Sequence, residues 1–216
     1  MKAEILKILK KAEEYVSGQQ LCEQLGVSRT AVWKAIRQLE EEGYVIEAVR
    51  NKGYRLVEDA DVLTVAELRS VLDTKWLGQE VDYFYETDST NNRARDAAEK
   101  GASHGYLAVA DSQTAGKGRR GRVWNSPHGT DIFMSFLMRP SFGPSQASML
   151  TLVAGMAVVK GVQKATGLNA MIKWPNDAVV NGKKICGILT EMSTEEDTIR
   201  YVVVGIGINV NAREFP

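Results

Sequence analysis

The spacing of apolar residues changes at an acidic stretch, residues 58–61. Before this stretch, apolar residues recur at helical spacing, as in Ile5, Leu6 and Leu9. After it, short alternating patterns typical of strands recur around one long apolar pattern typical of a helix. The sequence therefore predicts two domains, residues 1–62 and 63–216. We expect the second to be an α+β domain with a mixed sheet.

Three helix signals and a hairpin define the first domain. Ser17 with Gln20 forms the capping-box pattern that opens a second helix, and Gly26 is placed to close it. Ser28 is placed to cap a third helix, so that a tight turn joins the two. Residues 44–49 and 53–57 then read as two strands joined by a basic turn. This order predicts a winged helix-turn-helix.

Positive charge in this domain is concentrated on the third helix and the wing. The whole chain has 27 basic and 27 acidic residues, so a nucleic-acid contact would require such a local patch. We expect DNA to be bound by residues of the third helix and of the wing, namely Ser28, Arg29, Thr30, Lys34, Arg37, Arg50 and Lys52. The alternative is a solvated helix face in a protein-interaction module.

The second domain shows strand patterns on both sides of a long apolar helix. The predicted strands lie at 81–86, 106–111, 131–139 and 200–210, with the helix at 145–166. Asn181-Gly182 is a strong signal for a two-residue hairpin turn between two further strands. The segment 87–92, rich in hydroxyl and amide side chains, precedes an alanine-rich helix. It can cap that helix and also bind a polar ligand group.

A glycine- and arginine-rich loop is the most informative segment. Gly116, Gly118 and Gly121 match a dinucleotide-binding spacing, but the loop does not open a helix, and the kinase motifs are absent from the sequence. We expect its backbone N–H groups to converge on an anion, with added charge from the side chains of Lys117, Arg119, Arg120 and Arg122. A solvated basic loop, or a second DNA contact, is the alternative.

A second polar cluster follows at residues 173–187. Asp177 can hold Mg²⁺ with Asn176 as a neutral partner, and Lys184 can point into a pocket. Gly187 would let a ligand lie against the strand. The alternatives are a turn capped by Asn176 and Asp177, and a surface charge at Lys184.

Composition argues against several other classes of protein. No apolar run approaches the roughly 20 residues of a membrane helix, so we expect a cytoplasmic protein without a membrane contact. Cys22 and Cys186 stand far apart, and Cys186 reads as a small buried residue. With only His104 and His128, neither a His-rich zinc site nor a Ser-His-Asp hydrolase is expected.

Taken together, the motifs resemble those of bifunctional biotin–protein ligases that also repress the biotin operon. The segments that carry the resemblance are 88–91, 116–122, 173–177, 184–187 and 205–209. The resemblance implies a catalytic domain related to class II synthetases. It also implies formation of biotinyl-5′-AMP from biotin, ATP and Mg²⁺, and transfer to biotin carboxyl carrier protein. The adenylate would act as corepressor, promoting a homodimer on operator DNA.

The resemblance also assigns roles to individual residues. Catalysis would depend on Arg119 and Lys184. Biotin would be bound by Ser89, Thr90, Asn91, Gln113, Gly116, Lys117, Gly118, Arg119, Lys184, Gly187, Gly205 and Gly207. The nucleotide would be bound by Arg119, Arg122, Trp124, Asn176, Lys184 and Asn209, with Mg²⁺ at Asp177.

The sequence departs from the family pattern at two places, and two alternative functions stay open. Lys117 stands where many relatives carry arginine, and the family continues beyond Pro216 with a small C-terminal β domain that we expect this chain to lack. A lipoate–protein ligase shares the general chemistry. A repressor that senses biotin without catalysis is the second alternative, against which the basic loop and Lys184 argue.

Overall fold

Residues 1–213 are described by a computed structural model, in which the chain forms two compact units, Met1–Asp73 and a second beginning at Thr74. The first unit thus extends 11 residues beyond the predicted boundary at 62/63. Its helices are α1 (Lys2–Lys11), α2 (Gly18–Leu25), α3 (Arg29–Glu41) and α4 (Val65–Val71), and its strands are β1 (Val45–Val49) and β2 (Gly53–Glu58).

The predicted caps explain where α2 and α3 begin. Ser17 and Gln20 form both hydrogen bonds of a capping box, and Gly26 closes α2 in the left-handed conformation, at φ 64°. The side chain of Ser28 accepts a hydrogen bond from the backbone of Ala31, at 3.2 Å. Local hydrogen bonds therefore place the tight turn between α2 and α3.

Strands β1 and β2 form an antiparallel hairpin, as the wing prediction required. The backbones of Val16 and Tyr54 exchange two hydrogen bonds of 2.8 Å, so the segment before α2 pairs with β2. Gly53 has φ 118°, and a Cβ atom there would lie 2.1 Å from the carbonyl oxygen of Val16. Only glycine fits so close to the backbone of Val16, and this pairing holds the wing against the helices of the first unit.

Helix α4 explains the later boundary, because it packs against α1. Glu67 of α4 accepts hydrogen bonds from the ammonium of Lys10, at 2.5 Å, and from the hydroxyl of Tyr44, at 2.6 Å. The side chain of Thr64 caps α4 by accepting a hydrogen bond from the backbone of Glu67. These contacts bind α4 to the helical unit, although its sequence pattern follows the acidic stretch.

The second unit is built around a seven-stranded mixed sheet in the order β3-β4-β5-β9-β8-β7-β6. Its elements are β3 (Val81–Thr87), α5 (Thr90–Glu99), β4 (Leu107–Gln113), β5 (Asp131–Met138), α6 (Ser148–Thr166), β6 (Ala170–Lys173), β7 (Asp177–Val180), β8 (Lys183–Glu195) and β9 (Thr198–Asn209). Strands β3 and β4 are parallel, and the other pairs are antiparallel. The α+β prediction is confirmed, whereas β6 was not predicted.

Alternate residues of β9 belong to different cores. Val202 and Val204 pack in the apolar cluster that includes Ala154 of α6. Tyr201 and Val203 pack in a second cluster with residues of α5. Since successive side chains of a strand point to opposite faces, α5 and α6 cover opposite faces of the sheet.

One helix corrects the expectation that no membrane-length apolar segment exists. By length and composition, Pro144–Thr166 is long and apolar enough to cross a membrane. Glycine, polar residues and two lysines interrupt its apolar residues, so the sequence shows no continuous apolar run there. In this fold α6 packs Leu150, Ala154 and Val158 in an apolar cluster with residues of the sheet.

Candidate functional site

A cavity opens where β3 and β4 end. The strands are parallel, with Thr87 opposite Gln113, so the start of α5 lies beside the end of β4. The cavity, about 50 Å³, is lined by most of the predicted ligand residues, namely Ser89, Thr90, Asn91, Gln113, Lys117, Gly118, Arg119, Trp124, Asn176, Lys184, Gly187, Gly205 and Gly207. Ile188, Leu189 and Ile206 add an apolar lining that the sequence did not reveal.

A buried polar network supports one wall of the cavity. The side-chain oxygen of Gln113 accepts hydrogen bonds from the backbone and hydroxyl of Thr90, at 2.8 and 3.2 Å. The Gln113 amide donates to Ser126, at 2.9 Å, and the buried Ser135 hydroxyl lies 2.7 Å from that of Thr90. Ser126 and Ser135 were missed, because neither belongs to a local motif.

Two larger side chains cover the glycine floor of the cavity, formed by the predicted ligand residues Gly187, Gly205 and Gly207. A Cβ atom on Gly205 would lie 2.0 Å from the side-chain oxygen of Asn91, whose amide donates to Glu191 at 2.6 Å. Cβ atoms on Gly187 and Gly207 would lie 2.6 and 2.5 Å from the indole of Trp124. A ligand can therefore contact Gly187 and Gly207 only at positions that the indole of Trp124 does not cover, or after the indole moves.

The indole nitrogen of Trp124 adds a further clue to the cavity. It is buried and, within residues 1–213, has no hydrogen-bond acceptor. Buried donors are rarely left without an acceptor. A ligand oxygen beside Trp124 would satisfy it.

The glycine-rich loop is folded back on itself. Gly118 donates its backbone N–H to Arg122, at 2.7 Å, and Trp124 donates to Gly116, at 2.9 Å. These two N–H groups are engaged within the loop, which offers its side chains to the cavity, and convergence of the loop's N–H groups on an anion stays a prediction. Gly116 is also absent from the cavity lining, because Trp124 and Ser126 crowd its α-carbon.

Three cations reach the cavity from two segments, Lys117 and Arg119 from the glycine-rich loop and Lys184 from β8. Lys117 donates to Asn92 at 2.7 Å, and Arg119 donates to the side-chain oxygen of Asn176 at 2.9 Å. Lys184 forms an ion pair with Asp177, at 2.8 Å, and its ammonium lies 5.2 Å from the centre of a Trp124 ring. Neutral or single acidic partners hold these cations, which leaves net positive charge for an anionic ligand.

A wider cleft adjoins the cavity and shares Arg119, Trp124 and Lys184 with it. The predicted residues Arg122, Asp177 and Asn209 line this cleft and do not line the smaller cavity. Within the described residues, no group of three His, Cys, Asp or Glu side chains is placed to hold a metal ion. Asp177 forms an ion pair with Lys184. The carboxylate predicted to bind Mg²⁺ would therefore be shared with this lysine.

Asp88 organises the start of α5. Burial opposes its ionisation, but hydrogen bonds from Asn92, the backbone of Ser89 and Thr87, together with the charge of Arg93, lower the pKa of Asp88 to about 2. Asp88 is therefore an anion that fixes the backbone next to the cavity.

Cys186 is fully buried, as predicted from the lack of a histidine or an acid nearby in sequence. Burial raises the pKa of its thiol to about 12. The thiolate is the reactive form of cysteine, so this side chain is inert at neutral pH.

His128 joins a hydrogen-bonded cluster that composition did not lead us to expect. Its two ring nitrogens lie 2.8 Å from a carboxylate oxygen of Asp111 and 3.0 Å from the hydroxyl of Ser112. The arrangement has the order of a Ser-His-Asp triad. However, Ser112 is only 4% exposed, so the cluster fixes the end of β4 rather than presenting a nucleophile.

In the first unit, all the predicted DNA-binding residues are exposed; they are Ser28, Arg29, Thr30, Lys34, Arg37, Arg50 and Lys52. Lys52 of the wing lies 5.6 Å from the ring centre of Tyr15. Ser28 also has a structural role as the cap of α3.

Comparison with known proteins identifies both units. Residues 83–209 match the model of the biotin/lipoate A/B protein ligase family, and residues 2–55 match an HTH domain. The whole chain is 46% identical to the bifunctional ligase/repressor BirA of Bacillus subtilis and spans 67% of that protein. The chain belongs to the biotin/lipoate A/B protein ligase family. A second relative of this family, BirA of Escherichia coli, is 36% identical over 93% of the chain, which spans 61% of that relative.

Solved structures of biotin protein ligases share the fold of the ligase unit. The enzyme of Aquifex aeolicus, solved with biotin and ATP, has a TM-score of 0.55 and 38% identity over 64% of this chain and 55% of its own. The Leishmania major enzyme, solved with biotinyl-5-AMP, has a TM-score of 0.56 and 27% identity over 64% and 60% of the two chains. The catalytic unit of this family member therefore has a biotin protein ligase fold.

Proposed function

We propose that this chain activates biotin with ATP and transfers it to a lysine of biotin carboxyl carrier protein. The observation that carries the proposal is the convergence of Lys117, Arg119 and Lys184 on one cavity. Adenylation brings a carboxylate and a phosphate together, and fixed positive charge must offset their repulsion. The similarity to bifunctional ligase/repressors along the whole chain supports the same function.

The proposed biotin site combines the buried polar network with the glycine floor. A ureido ring offers two N–H donors and one carbonyl acceptor, and the hydroxyls of Ser89 and Thr90 and the amide of Gln113 supply matching groups. The apolar ring and tail would lie along the strands where glycine leaves room, beside Trp124. Trp124 would shift or flank the ligand as it enters.

In the first step, a carboxylate oxygen of biotin attacks the α-phosphorus of ATP. The bond from that phosphorus to the oxygen bridging the β-phosphate breaks, and pyrophosphate leaves. Lys184 would bridge the carboxylate and the α-phosphate, while Arg119 would hold the phosphate with its planar guanidinium. The carboxylate is already ionised, so positioning and charge suffice without a protein base.

Magnesium would enter bound to the phosphates of ATP. Mg²⁺ often uses one or two protein carboxylates together with substrate phosphates, and Asp177 offers one such group. Asn176, Arg122 and Asn209 would contact the nucleotide from the wider cleft. When bound, the ion would further neutralise the phosphate oxygens.

In the second step, the neutral amine of a carrier lysine attacks the carbonyl carbon of biotinyl-5′-AMP. The bond from this carbon to the phosphate oxygen breaks, AMP leaves, and the amine proton passes to solvent. Arg119 and Lys184 would stabilise the departing phosphate.

The first unit would make the protein a repressor as well. We propose that biotinyl-5′-AMP promotes a homodimer whose two α3 helices and wings contact operator DNA through the exposed cations. A cytoplasmic location, without a membrane contact, follows from a function that requires ATP, the carrier protein and DNA.

Calorimetric titration with biotin and, separately, lipoate tests the ligand. Tight binding of biotin alone is expected, whereas binding of lipoate alone would assign the chain to the lipoate branch of the family. Pyrophosphate release from ATP in the presence of biotin then tests catalysis. Biotin binding without pyrophosphate release would leave a biotin-sensing repressor without ligase activity.

A matched pair of variants tests the role of Lys184. Lys184→Ala should slow pyrophosphate release about 10²–10³-fold, because it removes charge from the reacting atoms. Lys160→Ala removes an exposed lysine of α6 and should change little. Equal rates in both variants would contradict the proposed mechanism.

A further inference from the structure

The exposed face of α3 carries a tryptophan at its centre. Trp33 is 51% exposed, although Val32, Ala35, Ile36 and Leu39 of the same helix are buried. The face around it carries three cations, and no acidic residue occurs between Ser28 and Leu39, although Glu40 forms an ion pair with Arg37 at 3.2 Å. A single exposed apolar residue is ordinary on a protein surface, so its position among cations is what needs explaining.

The surroundings of Trp33 favour a nucleic acid over an apolar protein partner. Arg29 and Arg37 lie one turn to either side of it along the helix, and Lys34 is adjacent. The guanidinium of Arg37 lies 5.5 Å from the centre of the Trp33 ring, which helps to fix the indole. A protein groove that accepted this indole would have to accept these charges as well, whereas phosphates would pair with them.

We propose that Trp33 reads thymine by apolar contact with the 5-methyl group in the major groove. The proposal rests on the proposed DNA-binding function and specifies which base of the operator the helix recognises. In that groove, base edges present hydrogen-bond donors and acceptors, and the methyl of thymine is their apolar group. Because the indole offers a single N–H and a large apolar surface, a methyl group is the feature it can distinguish.

The test is a thermodynamic cycle in which the indole of Trp33 and the methyl group of thymine are removed separately and together, and the affinity for DNA is measured in each case. A duplex is selected by the wild-type chain from a randomised pool, and each thymine is replaced by deoxyuridine, which lacks only the methyl. Affinities are measured with biotin and ATP present. At one or two thymines, the wild-type chain should bind the deoxyuridine duplex about fourfold more weakly, the effect of losing one buried methyl-sized group.

In the Trp33→Ala variant, the thymine and deoxyuridine duplexes should bind equally, and both should bind more weakly than the thymine duplex binds to wild type. Lys34→Ala should weaken both duplexes by the same factor and reduce the salt dependence, because phosphate contacts carry no base information. Trp76→Ala, which removes an exposed tryptophan from the other unit, should bind as wild type. Circular dichroism verifies that each variant is folded.

The outcomes separate this inference from the function on which it depends. An unchanged thymine preference in Trp33→Ala, or wild-type affinity in that variant, would overturn the assignment while DNA binding stands. Failure of the wild-type chain to select any duplex would overturn DNA binding itself, and the inference with it.

Discussion

Replacing Gly207 by alanine tests whether Trp124 lies on the glycine floor. The added Cβ atom would lie 2.5 Å from the indole nitrogen and 2.6 Å from the neighbouring ring carbon. Carbon atoms in proteins pack at about 3.5–4.0 Å, so the indole must move by roughly 1 Å. The indole is rigid and its nitrogen is buried. The backbone next to Trp124 therefore has to move together with the ring.

The expected cost follows from overpacking of a folded site. Such insertions typically destabilise a protein by about 1–3 kcal/mol. For a chain of this size, that corresponds to a fall of about 2–4 °C in the melting temperature for each kcal/mol. The matched control is Gly161→Ala, which adds the same methyl to α6 where no atom lies within 4 Å. The control should gain up to about 1 kcal/mol from helix propensity.

Differential scanning calorimetry measures both variants, and biotin titration measures the site. Gly207→Ala should melt below wild type and bind biotin more weakly, while Gly161→Ala should melt above wild type with unchanged biotin affinity. The reasoning would be refuted if Gly207→Ala matched or exceeded the stability of wild type, since the indole could not then be where the contacts place it.

Three further predictions concern single side chains. Ser28→Ala removes the cap on the backbone of Ala31 and should lower the free energy of unfolding by about 1 kcal/mol in urea titrations. The pKa of Asp88 is lowered to about 2, so its ionised form stabilises the fold at any pH above its unfolded pKa near 4. This stabilisation is lost as the pH falls from about 4 towards 2. In Asp88→Asn, the free energy of unfolding should therefore fall less steeply over that pH range. Asp131→Ala leaves the backbone N–H of Val210 without its 2.7 Å acceptor; hydrogen exchange should then quicken at Val210, and an unchanged rate would contradict the contact.

The elements that sequence predicted well are those fixed by neighbours along the chain. Ser17, Ser28 and Gly26 act within one helical turn, and their caps were found where the pattern indicated. Most of the predicted ligand residues also fall in short motifs, and the cavity brings them together because the ends of adjacent strands coincide.

The elements that sequence missed depend on distant partners. Ser135 looks like a polar residue facing solvent in an alternating strand, yet it is fully buried beneath Asn91 because both faces of the sheet are covered. The bond from Asn91 to Glu191 spans 100 residues and has no local signal. Strand β6 has only four residues, too few to show a periodicity.

The alternation along β9 limits how this gene can change over time. Gly205 and Gly207 alternate with Val204 and Ile206, which fill the core under α6. Inserting or deleting one codon upstream within this strand would exchange the two sets, placing branched side chains against the cavity and glycines in the core. Substitutions in β9 should therefore keep this alternation, with glycine at 205 and 207, and length variation should be confined to the turns at either end.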